Sequence, residues 1–196
     1  MPNAETELTA FSRRPQRADA RRNYEKLISA AREAFTEDGT SASLEDIARR
    51  AQVGIGTLYR HFPTRQHLLE AVYVGEVEAM CRSAADLADL PPWDALVEWL
   101  RALVGFSATK RALSEEMLAT IGSDAQVFGS CRVAISTAGE SLLGRAQAAG
   151  VVRPDANFMD IARLLYGLAA VRTDPGQIER LLDIVLDGLR YQAPGA

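Results

Sequence analysis

The side chains best spaced for specific hydrogen bonding lie in one short segment, GTLYRHF, at positions 56–62. Leu58 and Phe62 recur at an i, i+4 spacing, which predicts a helix of barely two turns with one apolar face turned inward. Its other faces then carry Gly56, Thr57, Tyr59, Arg60 and His61. Their hydroxyl, phenol, guanidinium and imidazole groups can bond phosphates and base edges, and a helix this short suits insertion of its N-terminal end into a DNA major groove.

Catalytic and metal chemistry have little support in the sequence. The only histidines are His61 and His67, and neither stands in an HExxH or another ligand spacing. No glycine-rich phosphate loop or nucleophile elbow occurs, and Cys81 and Cys131 are spaced like small buried hydrophobes rather than a metal or redox pair. We therefore predict no enzyme activity, no cofactor and no metal site, and interpret His61 as a phosphate or base contact.

Three helical signals follow one another across positions 43–69 with almost no linker between them. Ser43 stands three residues before Asp46 and just ahead of an apolar repeat, which predicts a capping box at the start of a short helix. Gly54 helps to break that helix, and Pro63 cannot continue the helix that follows it. With Thr64 as the cap of a third helix, the stretch predicts a helix-turn-helix.

A basic arm and a bracing helix precede this motif. Residues 1–12 have no periodic apolar pattern, which predicts a disordered tail. From Arg13 to Arg22 five arginines are opposed by Asp19 alone. Most such runs are solvated surface, but beside a helix-turn-helix we favour contact with phosphates or the minor groove, with Arg13 and Arg14 among the contacts. Apolar residues at positions 24, 27, 28, 31, 34 and 35 then predict a helix that Gly39 ends.

The charge distribution supports the same interpretation. The net charge is -4, which by itself argues against nucleic acid. Positions 13–65, however, hold 11 Lys and Arg against 7 Asp and Glu, whereas positions 66–196 hold 11 against 17. This asymmetry is typical of a DNA-binding module attached to an acidic partner domain.

The segment DIARRAQVGIGTLYRHFPTRQHLL resembles the DNA-binding signature of the TetR family of bacterial transcriptional regulators. The resemblance covers about the first third of the chain, the usual extent of that domain. Two positions depart from the family pattern. Gln52 replaces a usual Gly, and Gly54 stands where a Ser usually caps the recognition helix; Gly is still an acceptable N-cap.

The resemblance implies roles for the residues around the short helix. Thr57, His61 and Arg65 would bind phosphates, while Gly54, Ile55, Gly56 and Tyr59 would approach base edges. Ile55 is unusual because this position is often polar in relatives, and an apolar side chain there favours contact with a thymine methyl group. The complete set of predicted DNA-binding residues is Arg13, Arg14, Ser43, Gly54, Ile55, Gly56, Thr57, Tyr59, Arg60, His61 and Arg65.

The second half of the chain shows helical periodicity and no strand pattern. The predicted fold is therefore all-α, with about nine helices in total. An N-terminal three-helix DNA-binding domain with its connecting helix would occupy positions 13–85. A larger C-terminal helical domain for effector binding and dimerisation would occupy positions 86–196.

Two groups of residues in the C-terminal domain are candidates for further sites. Large apolar side chains are more often core than ligand wall, yet in a domain of this resemblance we predict an apolar effector pocket lined by Trp99, Leu103, Phe106, Met117, Ile121, Phe128 and Cys131. The last two helices could simply close the domain's own core. Their position resembles the family's dimerisation pair, so we predict an interface of Phe158, Ile161, Leu165, Leu168, Ile178, Leu182, Val185, Leu186 and Leu189.

The resemblance implies a ligand-responsive transcriptional repressor that binds a pseudo-palindromic double-stranded DNA operator as a homodimer and is released by a small apolar effector. A ligand-independent DNA-binding regulator is the alternative in the same class. A small-molecule carrier or an enzyme with a vestigial helix-turn-helix is a different class, disfavoured by the basic arm and by Thr57 and Tyr59. Without a signal-like apolar run or a stretch of about 18 apolar residues, we expect a cytoplasmic protein with no membrane association.

Overall fold

The structure is a computed structural model that describes residues 15–109, 113, 115, 117, 118, 126–170 and 174–191. Within these residues the chain forms eight α-helices: α1 Ala18–Asp38, α2 Leu44–Arg50, α3 Ile55–His61, α4 Arg65–Asp86, α5 Pro92–Thr109, α6 Gln126–Ala148, α7 Phe158–Ala170 and α8 Pro175–Leu189. One 3₁₀ turn, Gly39–Ser41, follows α1, and the described part holds no strand beyond an isolated antiparallel bridge between Val152 and Arg190. The all-α prediction is confirmed. The predicted tail, Arg13 and Arg14 lie outside the described residues.

The chain divides into two compact units. The first contains Met1–Glu78 and Lys110–Arg132, and the second contains Ala79–Thr109 and Val133–Ala196. The long helices α4 and α6 each contribute residues to both units.

In the first unit, α1 braces the helix-turn-helix through the predicted apolar stripe. Tyr24, Leu27 and Phe35 are buried on this face, and Ile28 is half-buried. The helix ends at Asp38, and Gly39 takes a φ of +54°, a conformation that glycine adopts without steric cost. Gly39 therefore ends the helix as predicted.

The turn between α2 and α3 is a Schellman motif with a non-glycine residue at its left-handed position. The Val53 N–H donates to the Ala48 carbonyl at 3.0 Å, and the Gln52 N–H donates to the Arg49 carbonyl at 3.1 Å. Gln52 takes a φ of +55°, the one positive φ outside glycine in the described residues. The end of α6 has the same pair of bonds, from Val151 to Ala146 and from Gly150 to Gln147, with glycine at a φ of +70°.

Replacement of Gln52 by Gly should stabilise the protein. The left-handed conformation costs a side chain about 1 kcal/mol or more, so we expect Gln52→Gly to raise the free energy of unfolding by about 0.5 to 1 kcal/mol after the extra chain entropy of glycine. Gly150→Ala, at the equivalent position of the second motif, should lower it by a similar amount. Urea denaturation measures both changes; a Gln52→Gly variant less stable than the parent would contradict the assignment of strain.

The core of the second unit is organised around Trp99 of α5 and Phe158 of α7. Trp99 is fully buried, and its indole N–H donates to the Met80 carbonyl at 3.0 Å. The Trp99 and Phe158 ring centroids lie 5.8 Å apart. On α6, a Cβ added to Gly139 would overlap three carbon atoms of the Phe158 ring. The ring thus packs directly against the α6 backbone, which only glycine permits there.

Candidate nucleic-acid interface

Side-chain caps start two of the three helices that build the helix-turn-helix. The Ser43 hydroxyl oxygen accepts a hydrogen bond from the Asp46 N–H at 3.0 Å, which confirms the predicted cap of α2. The Thr64 hydroxyl accepts a weaker bond from the His67 N–H at 3.3 Å at the start of α4. Between them, α3 begins after Gly54 with no side-chain cap. Each start therefore follows from a local sequence signal.

The recognition helix α3 has one anchored face and one open face. Leu58 is fully buried, and Phe62, just after the helix, is buried beside the Tyr24 ring at 5.2 Å between centroids. On the opposite side Ile55 and Tyr59 are 39% and 44% exposed. Arg60 is also exposed, and Thr57 is half-buried. Two large side chains thus project from a surface that no described residue covers.

The glycines of the recognition segment are not required by the protein's own packing. A Cβ added to Gly54 or Gly56 would meet no atom within 4 Å, and neither residue has a positive φ. A helical glycine costs about 1 kcal/mol relative to alanine, so a glycine at position 56 calls for an external reason. Close approach of a ligand surface to the helix backbone supplies one.

His61 lies at the edge of this surface, partly inside the protein. Its ring centroid is 6.1 Å from that of Tyr24, in an edge-on arrangement, and 6.2 Å from that of Phe62. Burial lowers the pKa of His61 below its usual 6.5, because desolvation disfavours the imidazolium form. This shift favours the uncharged ring near neutral pH. It can offer one N–H to a phosphate oxygen but adds no positive charge.

Arg65 holds the motif together, a role that the sequence did not indicate. Its Nη1 donates a hydrogen bond to the Ala42 carbonyl, just before α2, and its guanidinium lies 5.1 Å from the centroid of the Phe35 ring of α1. The side chain therefore ties the first residue of α4 to α1 and to the segment just before α2. Its predicted phosphate contact stays a prediction, and removal of Arg65 would disturb the fold of the motif as well.

Arg50 is a second positioning residue that sequence reasoning missed. Its guanidinium bonds Asp46 at 2.6 Å, Glu37 at 2.5 Å and Asp38 at 3.0 Å, which joins the end of α1 to α2. The hydrogen bonds that Asp46 accepts from Arg50 and Arg49 lower the pKa of Asp46. The hydrogen bonds that Arg50 donates to Glu37 and Asp46 raise the pKa of Arg50. Part of the basic excess counted in the sequence is thus neutralised locally.

The predicted effector residues are divided between the two units. Trp99 and Leu103 are fully buried in the second unit, where Phe106 is half-buried. Met117 and Cys131 are buried in the first unit. Phe128 is half-buried there, with its ring edge-on to Tyr73 at 5.5 Å. Ile121 lies outside the described residues.

Most of the predicted dimerisation residues fill the protomer's own core. Six of the nine are 0–7% exposed: Phe158, Ile161, Leu165, Leu182, Leu186 and Leu189. Leu168, Ile178 and Val185 are half-buried. The outward faces of α7 and α8 carry Leu164 and Ile184, which are 57% and 67% exposed. The apolar surface available to a partner therefore lies on a different side of the pair from most of the predicted residues, because those residues pack against the second unit's own helices.

A short helix anchored by apolar residues and open on its polar and aromatic side, set in a tight three-helix motif, defines a helix-turn-helix DNA-binding protein. Family models agree. A model described as bacterial regulatory proteins, tetR family, matches residues 27–72, and one described as transcriptional regulator SbtR-like, C-terminal domain, matches residues 91–191. The chain belongs to the TetR family of transcriptional regulators.

Individual relatives agree with this assignment. The HTH-type transcriptional regulator UidR of Escherichia coli K12 is 31% identical over 148 residues, which cover 73% of this chain and 76% of that protein. The solved TetR transcriptional regulator SCO0520 from Streptomyces coelicolor is 42% identical, with a TM-score of 0.76 over 86% of this chain and 99% of that one. A TetR regulatory protein from Mycobacterium vanbaalenii is 34% identical, with a TM-score of 0.74 over 90% and 100% of the two chains. The protein is thus a DNA-binding transcriptional regulator.

The described part of the chain lacks two other kinds of feature. None of its helices has the length and apolar content needed to span a bilayer. Groups of three or more metal-ligating side chains are likewise absent from that part.

Proposed function

We propose that the protein is a homodimeric repressor that binds a pseudo-palindromic operator and releases it on binding a small apolar molecule. The observation that carries the DNA-binding part is the open face of α3, where Ile55 and Tyr59 project beside Gly56. An apolar side chain and a phenol at this position suit contact with thymine methyl groups and base edges. Arg60 and Thr57, with Arg13 and Arg14, are the proposed phosphate contacts.

Selection of bound fragments from random DNA by the purified full-length chain tests this proposal. We expect one enriched sequence with two inverted half-sites about 34–36 Å apart, or a multiple of that distance, as two-fold helix-turn-helix dimers require. Affinity should fall steeply as salt rises, because phosphate contacts release counterions. Enrichment of single, unpaired sites, or binding that does not respond to salt, would reject the proposed mode.

The variant Gly56→Ala distinguishes an effect on DNA affinity from an effect on the stability of the fold. The added methyl group meets no protein atom, and alanine favours a helix, so the free energy of unfolding should stay unchanged or rise by up to about 1 kcal/mol. Affinity for the selected operator should nevertheless fall about tenfold, because the methyl group blocks close approach of the backbone to the DNA. Fluorescence anisotropy with labelled operator measures the loss.

A matched control is Gly75→Ala, which also adds a methyl group into open space on a helix of the first unit. It should leave operator affinity unaltered. Equal affinities for Gly56→Ala and Gly75→Ala would remove α3 from the DNA interface.

The proposed dimer uses the exposed face of α7 and α8. Leu164 of α7 and Ile184 of α8 are 57% and 67% exposed, and large apolar side chains left uncovered in this way suit a partner surface. Half-buried Leu168 and Val185 line the inner edge of this face, which we call the α7–α8 outer face. A two-fold axis would bring the same face of each chain together, so every contact would occur twice.

We place the proposed effector site in the first unit alone. Trp99 belongs to the core of the second unit, because its indole N–H is hydrogen-bonded and its ring packs on Phe158, so it is not proposed as a ligand contact. Tyr73 of α4 and Phe128 of α6, in contrast, are half-buried and meet edge to face. Helix α4 also begins at the helix-turn-helix. A small apolar molecule bound against Tyr73 could therefore displace the helix that is directly connected to the DNA-binding motif.

Only a difference in affinity between two conformations allows such a molecule to change DNA binding. A library of apolar compounds, screened for thermal stabilisation and for release of bound operator, tests this switch. Phe128→Ala should lower the affinity of the protein for any compound that is active in both screens. Compounds that stabilise the protein without releasing DNA would favour the ligand-independent regulator. Operator placed upstream of a reporter gene distinguishes repression from activation.

A further inference from the structure

A concave site lies where the start of α5 meets residues 190–191, just after α8. It has a volume of about 390 Å³ and is lined by Trp93, Val151, Arg190 and Tyr191. This volume falls within the range of small-molecule sites, about 300–1,000 Å³. All four residues belong to the second unit, and none of them was among the predicted effector residues.

Backbone hydrogen bonds fix the walls of this site before any ligand arrives. The Tyr191 N–H donates to the Val151 carbonyl at 3.2 Å, and the Arg153 N–H donates to the Leu189 carbonyl at 3.0 Å. These two bonds flank Arg190 and form the isolated bridge with Val152. A preorganised wall lowers the entropic cost of binding.

The chemistry of the lining selects a particular kind of ligand. The Arg190 guanidinium lies 4.7 Å from the centroid of the Trp93 ring, so a planar cation already stacks on an aromatic face. Among the described residues it pairs with Asp187, with 4.0 Å between Nε and Oδ1 and both side chains mostly exposed. Exposed pairs of this length are weak, so a bound carboxylate can compete for the guanidinium.

We propose that this site binds a small planar aromatic carboxylate. The carboxylate would pair with Arg190, and the ring would lie against Trp93 and Tyr191, two aromatic side chains that remain partly exposed. An apolar molecule without charge would leave the guanidinium unmatched, and a sugar would leave the aromatic walls unused. The site therefore differs in ligand class from the apolar effector site proposed in the first unit, and its test does not involve DNA.

Tryptophan fluorescence provides a direct test with benzoate as the probe. The chain has two tryptophans, and Trp99 is fully buried, so a change on ligand binding at this site reports Trp93. We expect saturable quenching or a spectral shift with benzoate, accompanied by a rise in melting temperature through ligand linkage. Benzyl alcohol, which has the ring without the charge, should bind about tenfold more weakly.

Variants identify the residues responsible. Trp93→Phe should abolish the fluorescence response while keeping the benzoate-induced rise in melting temperature, and Arg190→Gln should weaken both by about tenfold. Arg190→Lys, which keeps the charge but loses the planar stack, should fall between Arg190→Gln and the parent. The proposal is overturned if benzoate shifts neither signal, if Trp93→Phe still shows the fluorescence change, or if Arg190→Gln binds benzoate as well as the parent.

Discussion

Gly139→Ala is expected to lower the free energy of unfolding by about 3 kcal/mol, the upper part of the usual range for overpacking. The added Cβ would overlap Cε2, Cζ and Cδ2 of the Phe158 ring. That ring has little room to retreat, because Trp99 packs against it and is itself held by the bond to the Met80 carbonyl. The variant should unfold at lower temperature and lower urea concentration than the parent.

Gly144→Ala is the matched control on the same helix. A Cβ at position 144 meets no atom within 4 Å, so this variant should be as stable as the parent or up to about 1 kcal/mol more stable. Phe158→Leu should be costly alone but should recover part of the loss when combined with Gly139→Ala, since the two residues share one contact. Additive losses in the double variant would show that the ring does not limit position 139.

The contact between Gly139 and Phe158 shows what the sequence could not provide. Helices α1 to α4 could be predicted because their caps and apolar spacings are local, as with Ser43 three residues before Asp46. Nothing near position 139 indicates which side chain will press on it. That contact depends on how α6 and α7 meet, which is a property of tertiary packing.

The two arginines that brace the helix-turn-helix were missed for a related reason. In the sequence, Arg50 and Arg65 count simply as positive charge near a DNA-binding motif. In the structure, Arg50 bonds carboxylates 13 and 12 positions earlier, and Arg65 reaches a carbonyl 23 positions earlier. Charge counting indicates the sign of a surface, but cannot separate the cations held by the protein from those available to phosphates.

The C-terminal pair illustrates a different limit. The spacing of leucines and isoleucines predicted both helices and their apolar character. Each helix, however, carries apolar residues on two adjoining faces, and periodicity alone does not say which face meets the protomer's own core. Only burial separates Leu182, at 1% exposed, from Ile184, at 67%.

Ile184→Glu is accordingly expected to convert the proposed dimer into a folded monomer. Position 184 is mostly exposed within the protomer, so the change should have little effect on its fold. In a two-fold interface the substitution occurs twice, removing the burial of two isoleucines, worth about 1.5–3 kcal/mol each, and placing two carboxylates on an apolar surface. Dimer affinity should fall at least about a hundredfold, as measured by analytical ultracentrifugation.

Leu182→Glu provides the contrast, because its side chain is buried in the protomer and the charge should unfold the second unit. Circular dichroism separates the two outcomes: a helical spectrum with monomer mass for Ile184→Glu, and loss of helix for Leu182→Glu. Leu164→Glu, on the same outer face of α7, should behave as Ile184→Glu does. The monomers should also lose high-affinity binding to the two-site operator. Each helix-turn-helix then binds its half-site alone, without the gain in affinity that comes from joining two DNA-binding domains in one dimer. A dimer of unaltered strength in both Ile184→Glu and Leu164→Glu would exclude the α7–α8 outer face as the interface, whatever the effect of Leu182→Glu.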